Sequence, residues 1–155
     1  KEEWDASHIA KKMNNEIYGQ GTDDRFATCV MGWVDGNDLQ FVNCGHNPVL
    51  HYAGGKYREY GSSAPPVGIV NDEAFNPSDQ GITINEGSSV YVSTDGITEA
   101  KINGKEIDTK GLAQMAKNQD GMSAPQRYEQ INRFLQKDVI QLHDDATLLV
   151  ILPRN

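Results

Sequence analysis

The spacing of apolar residues predicts one helix and a first β-hairpin in the N-terminal third of the chain. From residue 6 to residue 17, apolar side chains recur three and four positions apart, and Gly19 follows at a position typical of a helix cap. Strand-forming residues then occupy 26–34 and 39–43, on either side of a polar Asp-Gly-Asn-Asp turn. We therefore expect the helix to pack one face on a sheet.

The middle of the chain predicts further antiparallel strands. Residues 49–52 and 56–60 flank a Gly-Gly turn, and the short runs 82–84 and 89–93 have the composition of strands. Residues 49–52 and 56–60 follow one another through a tight turn. An antiparallel meander is therefore favoured over parallel strands joined by helices. The stretch 61–68 contains two consecutive prolines and is predicted to be a loop beside the functional site.

The C-terminal third predicts two helices and a closing strand. One helix begins near Thr109, and another begins at the capping-box pattern Ser-Ala-Pro-Gln that starts at Ser123. The run 146–152 is almost continuously apolar and is predicted to be a central strand buried on both faces. This order of elements is typical of an α+β sandwich, and we expect a single domain from residue 1 to residue 155.

Charge and composition argue against several classes of partner. The chain carries 14 basic and 22 acidic side chains, and a net charge of −8 repels nucleic acid and acidic membrane surfaces. No apolar run approaches the roughly 20 residues that a membrane-spanning helix needs. Cys29 and Cys44 lie inside apolar runs rather than in a spaced disulfide framework. We expect a cytoplasmic domain without nucleic-acid or membrane contact, any membrane anchor lying outside this chain.

Acidic residues at strand ends suggest a metal site. Asp95 ends the strand predicted at 89–93, and Asp144 and Asp145 come immediately before the closing strand. If these strands are antiparallel neighbours, Asp95 and Asp144 meet at one edge of the sheet, where hard oxygen ligands suit Mg²⁺ or Mn²⁺. Asp-Gly is also a common turn, and Asp-Asp is often a solvated loop. The residues alone leave both interpretations open.

Five sequence blocks resemble, in order, those of bacterial serine/threonine phosphatases of the sporulation stage II protein E (SpoIIE) type. Residues 94–100, TDGITEA, are similar to the family's TDG(V/I)TEA motif, and residues 144–150, DDATLLV, are similar to its DDxTLLV ending. The Phe-Ala-Thr at 26–28, the NCGHNP at 43–48 and the PVGI at 66–69 resemble three more blocks. The resemblance implies an α+β fold like that of the PPM phosphatases, a sandwich of two antiparallel sheets flanked by helices.

The resemblance also implies a reaction, in which two Mn²⁺ or Mg²⁺ ions activate a bridging water that attacks phosphoserine or phosphothreonine directly. Asp95 and Asp144 match two carboxylates that ligate these metals, and Asp145 is expected to support or cap that site. Gly96 is explained by backbone geometry, although a closely approaching metal or water could also demand a missing side chain. The implied substrate is a phosphorylated regulator resembling an anti-anti-sigma factor, in a partner-switching pathway that regulates sigma factors.

The NCGHNP block supplies two further candidates. His46 follows a strand directly, where it could contact substrate or donate a proton, so His46 and Asn47 are the predicted catalytic residues. The alternative is that both residues only hydrogen-bond the loop. Eukaryotic-type relatives place an Asp for an additional metal where His46 stands, so this chain is not expected to hold that metal.

One block of the family has no counterpart in this sequence. The family begins with a strand pair that carries an Asp and a D-x-S-G-(H/K)-G segment bridging both metals. We therefore expect an N-terminally truncated domain that binds at most one metal loosely, is inactive alone and forms a homodimer through exposed strand edges. The complete domain would then hold two metals and form the cytoplasmic part of a larger sensor protein. The alternative function is a non-catalytic partner-binding module or pseudophosphatase.

Overall fold

The structure, a computed structural model, describes residues 5–18, 25–137, 142 and 144–154, which contain helices and antiparallel strands. The elements in chain order are α1 (Ala6–Tyr18), β1 (Cys29–Asp35), β2 (Asp38–Cys44), β3 (Val49–Ala53), β4 (Lys56–Tyr60), β5 (Gln80–Thr83), β6 (Ser89–Ser93), α2 (Asp95–Thr98), β7 (Lys101–Ile102), β8 (Lys105–Glu106), α3 (Asp108–Asn118), α4 (Ala124–Lys137) and β9 (Leu148–Ile151). They fall into two compact units, Lys1–Pro48 with Tyr60–Thr83 and Val49–Glu59 with Ile84–Asn155. The expectation of a single domain stays a prediction.

The first unit contains α1 and a three-stranded sheet in the order β1-β2-β5. β1 and β2 form the predicted hairpin, whose register pairs Asp35 with Asp38 beside the turn and Cys29 with Cys44 at the far end. β2 is buried from residue 41 to residue 44, and α1 covers the face that carries Val42 and Cys44 with small side chains such as Ala10. The helix packs one face on the sheet as predicted, although Met13 of the predicted apolar face is exposed.

A buried asparagine of α1 holds the loop that contains the two consecutive prolines. Asn14 donates a hydrogen bond to the carbonyl of Val70 at 3.0 Å and accepts one from the N–H of Gly68 at 2.9 Å. Gly68 has a φ of +91°, which favours glycine, and the carbonyl of Arg25 would lie 2.8 Å from any Cβ there. The stretch 61–68 forms no helix or extended strand, as predicted.

The second unit contains a four-stranded sheet in the order β4-β3-β6-β9, together with α2, α3, α4 and the β7–β8 hairpin. β6 is antiparallel to both of its neighbours, and Tyr91 at its centre is completely buried. Leu112 and Ala116 of α3 share a core with Leu50 and Tyr91. The central strand is therefore covered by the first of the two predicted C-terminal helices.

A buried arginine ties α4 to β6. The Arg127 guanidinium donates from Nη1 to the hydroxyl of Tyr91 at 2.6 Å and to that of Ser89 at 3.2 Å, and from Nε to the carbonyl of Met122 at 3.0 Å. The Tyr91 hydroxyl in turn donates to Oε1 of Gln119 at 3.0 Å. A buried charge is costly unless its donors are paired, so this network fixes the strand that leads into the acidic segment.

The predicted helix starts are confirmed. α3 begins one residue before Thr109, and α4 follows Ser123 with the reciprocal contact of a capping box, since the N–H of Ser123 donates to Oε1 of Gln126 at 2.9 Å. The predicted cap at Gly19 lies outside the described residues. No helix in the described ranges combines the length and the apolar composition that a membrane span requires.

The prediction of a central, doubly buried last strand is wrong. Within the described part of the chain, β9 pairs only with β6 and forms the edge of its sheet. Leu149 is 54% exposed, while Leu148 on the opposite face packs against the core. A continuous apolar run indicates burial, but it does not specify which neighbours supply that burial.

Candidate functional site

The ends of β6 and β9 bring the two acidic segments together in the second unit. Ser93 lies opposite Leu148 in the antiparallel register, and the N–H of Thr94 donates to the carbonyl of Thr147 at 3.0 Å. The chain continues from Thr94 directly into Asp95. The Asp95 segment and the segment that precedes β9 therefore lie at one edge of the sheet, as antiparallel neighbours require.

Thr94 joins the two segments, although it was not among the predicted site residues. Its hydroxyl donates to the carbonyl of Asp145 at 3.1 Å and accepts from the N–H of Thr147 at 2.9 Å. One side chain thus provides hydrogen bonds to two backbone groups that precede β9 and lie outside the strand itself. The only sequence signal for this role is the position of Thr94 at the start of the TDGITEA block.

Gly96 lies against the backbone of the acidic pair. A Cβ at this position would be 2.5 Å from the carbonyl oxygen of Asp145 and 3.0 Å from that of Asp144, well inside the roughly 3.5 Å of an ordinary carbon contact. Gly96 has no positive φ, so the close approach of the two backbones is sufficient to require glycine. Of the two explanations that the sequence left open, the contacts favour backbone geometry.

The carboxylates of Asp95 and Asp144 belong to exposed residues. Oδ1 of Asp95 accepts the N–H of Gly96 at 2.9 Å, and Oδ1 of Asp144 accepts the N–H of Asp145 at 2.7 Å. Among the described residues, no basic side chain forms a salt bridge with either carboxylate. Both acids therefore keep charged oxygen atoms available to a cation from solution.

These donors fit part of a divalent-metal site. Carboxylate oxygens are the ligands that Mg²⁺ and Mn²⁺ prefer, and Asp95 and Asp144 supply two of them at one sheet edge. In the ranges that the structure describes, no group of three or more His, Cys, Asp or Glu side chains could hold a metal ion. A complete coordination shell would need ligands beyond those two.

The predicted catalytic pair lies in the first unit, in a loop that Asn43 organises. Asn43 is completely buried, and its Oδ1 accepts the N–H of His46 at 2.9 Å while its Nδ2 donates to the carbonyl of Asn47 at 3.0 Å. Nδ1 of His46 lies 3.3 Å from the hydroxyl of Thr28. Gly45 turns the chain with a φ of +68°. The loop is a defined turn with the His46 ring held near β1.

The backbone of Asn43 extends this arrangement to the stretch 61–68. Its carbonyl accepts the N–H of Ser63 at 2.8 Å, the N–H of Ala64 at 3.2 Å and the hydroxyl of Ser62 at 3.1 Å. The N–H of Gly45 donates to Oγ of Ser62 at 2.7 Å. Asn43 was not a predicted site residue; the sequence signals for it are its place at the start of the NCGHNP block and an amide among the apolar inner positions of a strand.

Comparison with known proteins assigns the chain to a family. A model of the Stage II sporulation protein E (SpoIIE) family matches residues 1–153 of the 155. The chain belongs to the SpoIIE family. No curated protein matches it.

Solved structures agree with that assignment at the level of the fold. The SiaA PP2C domain of Pseudomonas aeruginosa matches 96% of this chain with a TM-score of 0.79 and 17% identity, over 61% of its own length. The PP2C domain of Bacillus subtilis SpoIIE, with a fragment of its regulatory domain, matches 94% with a TM-score of 0.69 and 19% identity, over 43% of its length. The RsbU and RsbW domains of a Mycobacterium tuberculosis protein match 96% with a TM-score of 0.65 and 18% identity, over 42% of their length.

These likenesses confirm the expected fold class, α+β with antiparallel sheets and helices as in PP2C-type (PPM) phosphatases. The SpoIIE-family chain spans 61% of the length of the SiaA structure and 43% of that of the first B. subtilis SpoIIE structure. Two further matches involve a divalent metal, namely a B. subtilis SpoIIE phosphatase domain presoaked with manganese (TM-score 0.57) and RsbX in complex with magnesium (TM-score 0.66).

Proposed function

We propose that this protein is a Mn²⁺- or Mg²⁺-dependent phosphatase that removes phosphate from serine or threonine of a regulatory protein. The observation that carries the proposal is the convergence of the Asp95 and Asp144 segments at one sheet edge of a SpoIIE-family chain. Both carboxylates belong to exposed residues at that edge, and carboxylate oxygens are the ligands that Mg²⁺ and Mn²⁺ prefer. The metal-containing relatives support the choice of a divalent cation.

In this proposal Asp95 and Asp144 are the metal ligands, and the residues around them set their spacing. Thr94 fixes one segment to the other, and Gly96 allows their backbones to approach closely. A bound divalent metal supplies Lewis-acid chemistry and activates water toward the phosphate ester. The backbone N–H of Asp145 donates to Oδ1 of Asp144 at 2.7 Å, and this contact supports the proposal that Asp145 supports or caps the site.

His46 and Asn47 remain the proposed catalytic residues, with His46 as a substrate contact or proton donor. The Asn43 side chain fixes the backbone at both residues, and Thr28 restrains the His46 ring. A hydroxyl near Nδ1 restrains the orientation of the imidazole, and a proton donor has to be oriented toward its substrate. The same contacts would also serve a residue that only stabilises the loop, so the two roles have to be separated by experiment.

Replacing His46 by alanine is expected to lower kcat/KM about tenfold, the effect of losing one net hydrogen bond worth about 1.4 kcal/mol, without changing metal affinity. Phosphate release from a phosphoserine substrate measures kcat/KM, and calorimetric titration with Mn²⁺ measures the metal affinity. Thr28→Val is the companion variant, because it removes the hydroxyl beside Nδ1 and keeps the imidazole of His46. A large loss of Mn²⁺ affinity in His46→Ala would instead make His46 a metal ligand.

The proposed substrate is the phosphoserine of a regulator that resembles an anti-anti-sigma factor, in a partner-switching pathway. Its support is the family assignment and the likeness to RsbU and RsbW domains. Phosphate release from such a phosphoprotein should be much faster than from a short phosphopeptide of the same local sequence. Equal rates on both would contradict recognition of a folded regulator.

The second candidate function is a non-catalytic module that only binds its partner. The observation that favours it is the lack of a third acidic, histidine or cysteine ligand among the described residues. Hydrolysis of p-nitrophenyl phosphate in Mn²⁺ by the full-length protein separates the two functions, because a binding module releases no phosphate. The 155-residue chain alone should be inactive in the same assay.

Self-association through a strand edge also belongs to the proposal. β9 has one strand neighbour in the described part of the chain, and Leu149 on it is 54% exposed. An edge strand with an apolar face can pair with a second copy. Leu149→Lys should therefore convert a dimer of this chain to a monomer in light scattering, whereas Ile69→Lys, at an exposed apolar residue of the first unit, should not. A dimer that survives Leu149→Lys would contradict pairing through β9.

A further inference from the structure

Cys29 and Cys44 lie directly opposite each other across the β1–β2 hairpin, although 14 residues separate them in sequence. Both are free thiols, and Cys29 packs against the same core cluster that contains Cys44. Cys29 begins β1 and Cys44 ends β2, so the pair closes the end of the hairpin that is farthest from its turn.

The register places the two cysteines within disulfide-forming distance. Directly opposed residues of an antiparallel pair have Cα atoms about 4.5 to 5.5 Å apart. Disulfides form when the Cα separation is about 4.4 to 6.8 Å. A bond between the two sulfur atoms therefore needs side-chain rotation and no rearrangement of the strands.

We propose that Cys29 and Cys44 are a peroxide-oxidisable dithiol that closes to an intramolecular cross-strand disulfide next to the His46 loop. The disulfide would join β1 to the residue that precedes Gly45, where the loop begins. This modification site does not depend on the proposed phosphatase function, because it rests on the thiols and the strand register alone.

Burial assigns different roles to the two thiols. Cys29 is partly exposed, whereas Cys44 is completely buried, so only Cys29 can meet a peroxide from solvent. The hydrogen bond from Cys44 lowers the pKa of Cys29 from its ordinary 9.0 to about 7, against the opposing effect of burial. The same hydrogen bond, with burial, raises the pKa of Cys44. Cys29 is therefore the attacking thiolate, and Cys44 is the thiol that resolves the intermediate.

The reaction balances with hydrogen peroxide as the oxidant. The Cys29 thiolate attacks one peroxide oxygen, the O–O bond breaks, and hydroxide leaves to take up the proton that Cys29 had released. The Cys29 sulfenic acid is then attacked by the Cys44 sulfur, which forms the S–S bond, and the sulfenic oxygen leaves with the Cys44 proton as water. The sum is two thiols and one hydrogen peroxide giving one disulfide and two waters.

The lowered pKa of Cys29 gives a moderate gain in rate. At pH 7 a thiol with a pKa of about 7 is ionised about fifty times more often than one at 9.0, while its lower basicity reduces nucleophilicity about tenfold. The net expectation is oxidation about fivefold faster than for an ordinary exposed cysteine. A buried Cys44 on its own should be oxidised far more slowly than Cys29 or an ordinary exposed cysteine.

The test treats the 155-residue chain with hydrogen peroxide at pH 7 and follows free thiols in denaturant together with intact mass. Both thiols should disappear at one rate, the mass should fall by two hydrogen atoms, the product should remain a monomer on a non-reducing gel, and dithiothreitol should restore both thiols. Persistent thiols, or a disulfide that links two chains, would overturn the proposal.

Two serine variants separate the roles. Cys44→Ser should accumulate a sulfenic acid on Cys29 that dimedone traps, because the resolving thiol is missing. Cys29→Ser should keep an unmodified Cys44 over the same time. The reverse pattern would overturn the assignment of the attacking thiol. If either variant fails to fold, non-reducing peptide mapping of the oxidised wild-type chain still decides, since only an intramolecular link between the peptides that contain Cys29 and Cys44 supports the proposal.

Discussion

Changing Asp95 or Asp144 to asparagine is expected to lower phosphate release by the full-length protein about a thousandfold, or about 4 kcal/mol of transition-state stabilisation. Both residues are exposed at a sheet edge, so little packing is lost and the fold should survive. Asparagine also keeps an oxygen that can accept the backbone N–H of Gly96 or Asp145. The substitution therefore removes the negative charge and leaves the local hydrogen bond in place.

Hydrolysis of p-nitrophenyl phosphate, titrated with Mn²⁺, measures this effect, and thermal unfolding checks the fold. Asp120→Asn is the matched control, because it removes one exposed carboxylate of the second unit outside the site and should leave turnover unchanged. If either site variant reached wild-type turnover at saturating Mn²⁺, neither carboxylate could be assigned as a metal ligand.

Much of the local structure could be predicted because short-range patterns specify it. The β1–β2 hairpin follows from two strand-forming runs around a turn with Gly36 at a φ of +58°, and its register follows from the turn. The start of α4 follows from the Ser123 capping box. The position of β9 could not be predicted in this way, because an apolar run has the same composition whether its strand is central or at an edge.

The convergence of the two acidic segments was predictable because it depends on strand ends, whereas the hydrogen bonds between distant segments were missed. Asp95 and Asp144 stand at the ends of two strands, and antiparallel pairing was enough to expect them at one edge. Asn43 and Thr94 act through hydrogen bonds to backbone groups about 20 and 50 residues away, and such bonds leave no periodic pattern in the sequence. The family resemblance supplied the blocks that contain them, but not their roles.

Gly96→Ala should lower turnover of the full-length protein about a hundredfold while both carboxylates are retained, because a displacement near 1 Å at a catalytic site can cost that much. The new Cβ would lie 2.5 Å from the carbonyl oxygen of Asp145, and neither backbone can yield without moving Asp95 or Asp144. Overpacking of this kind should also lower the free energy of unfolding by about 1 to 3 kcal/mol. Mn²⁺ titration calorimetry should show weaker binding.

Gly61→Ala is the matched control, since Gly61 has no positive φ and no neighbouring atom within 4 Å of the new Cβ. It should retain turnover, Mn²⁺ affinity and stability. Comparing Gly96→Ala with Gly61→Ala separates the effect of spacing from that of charge. Gly96→Ala changes the distance between the two acidic segments and leaves every ionisable group in place. A Gly96→Ala protein with wild-type turnover would mean that the two segments need not stay in close contact, and a loss confined to stability would assign Gly96 to the fold alone. A joint loss of turnover and Mn²⁺ affinity, with both aspartates present, would instead tie the function to the way β6 and β9 end side by side.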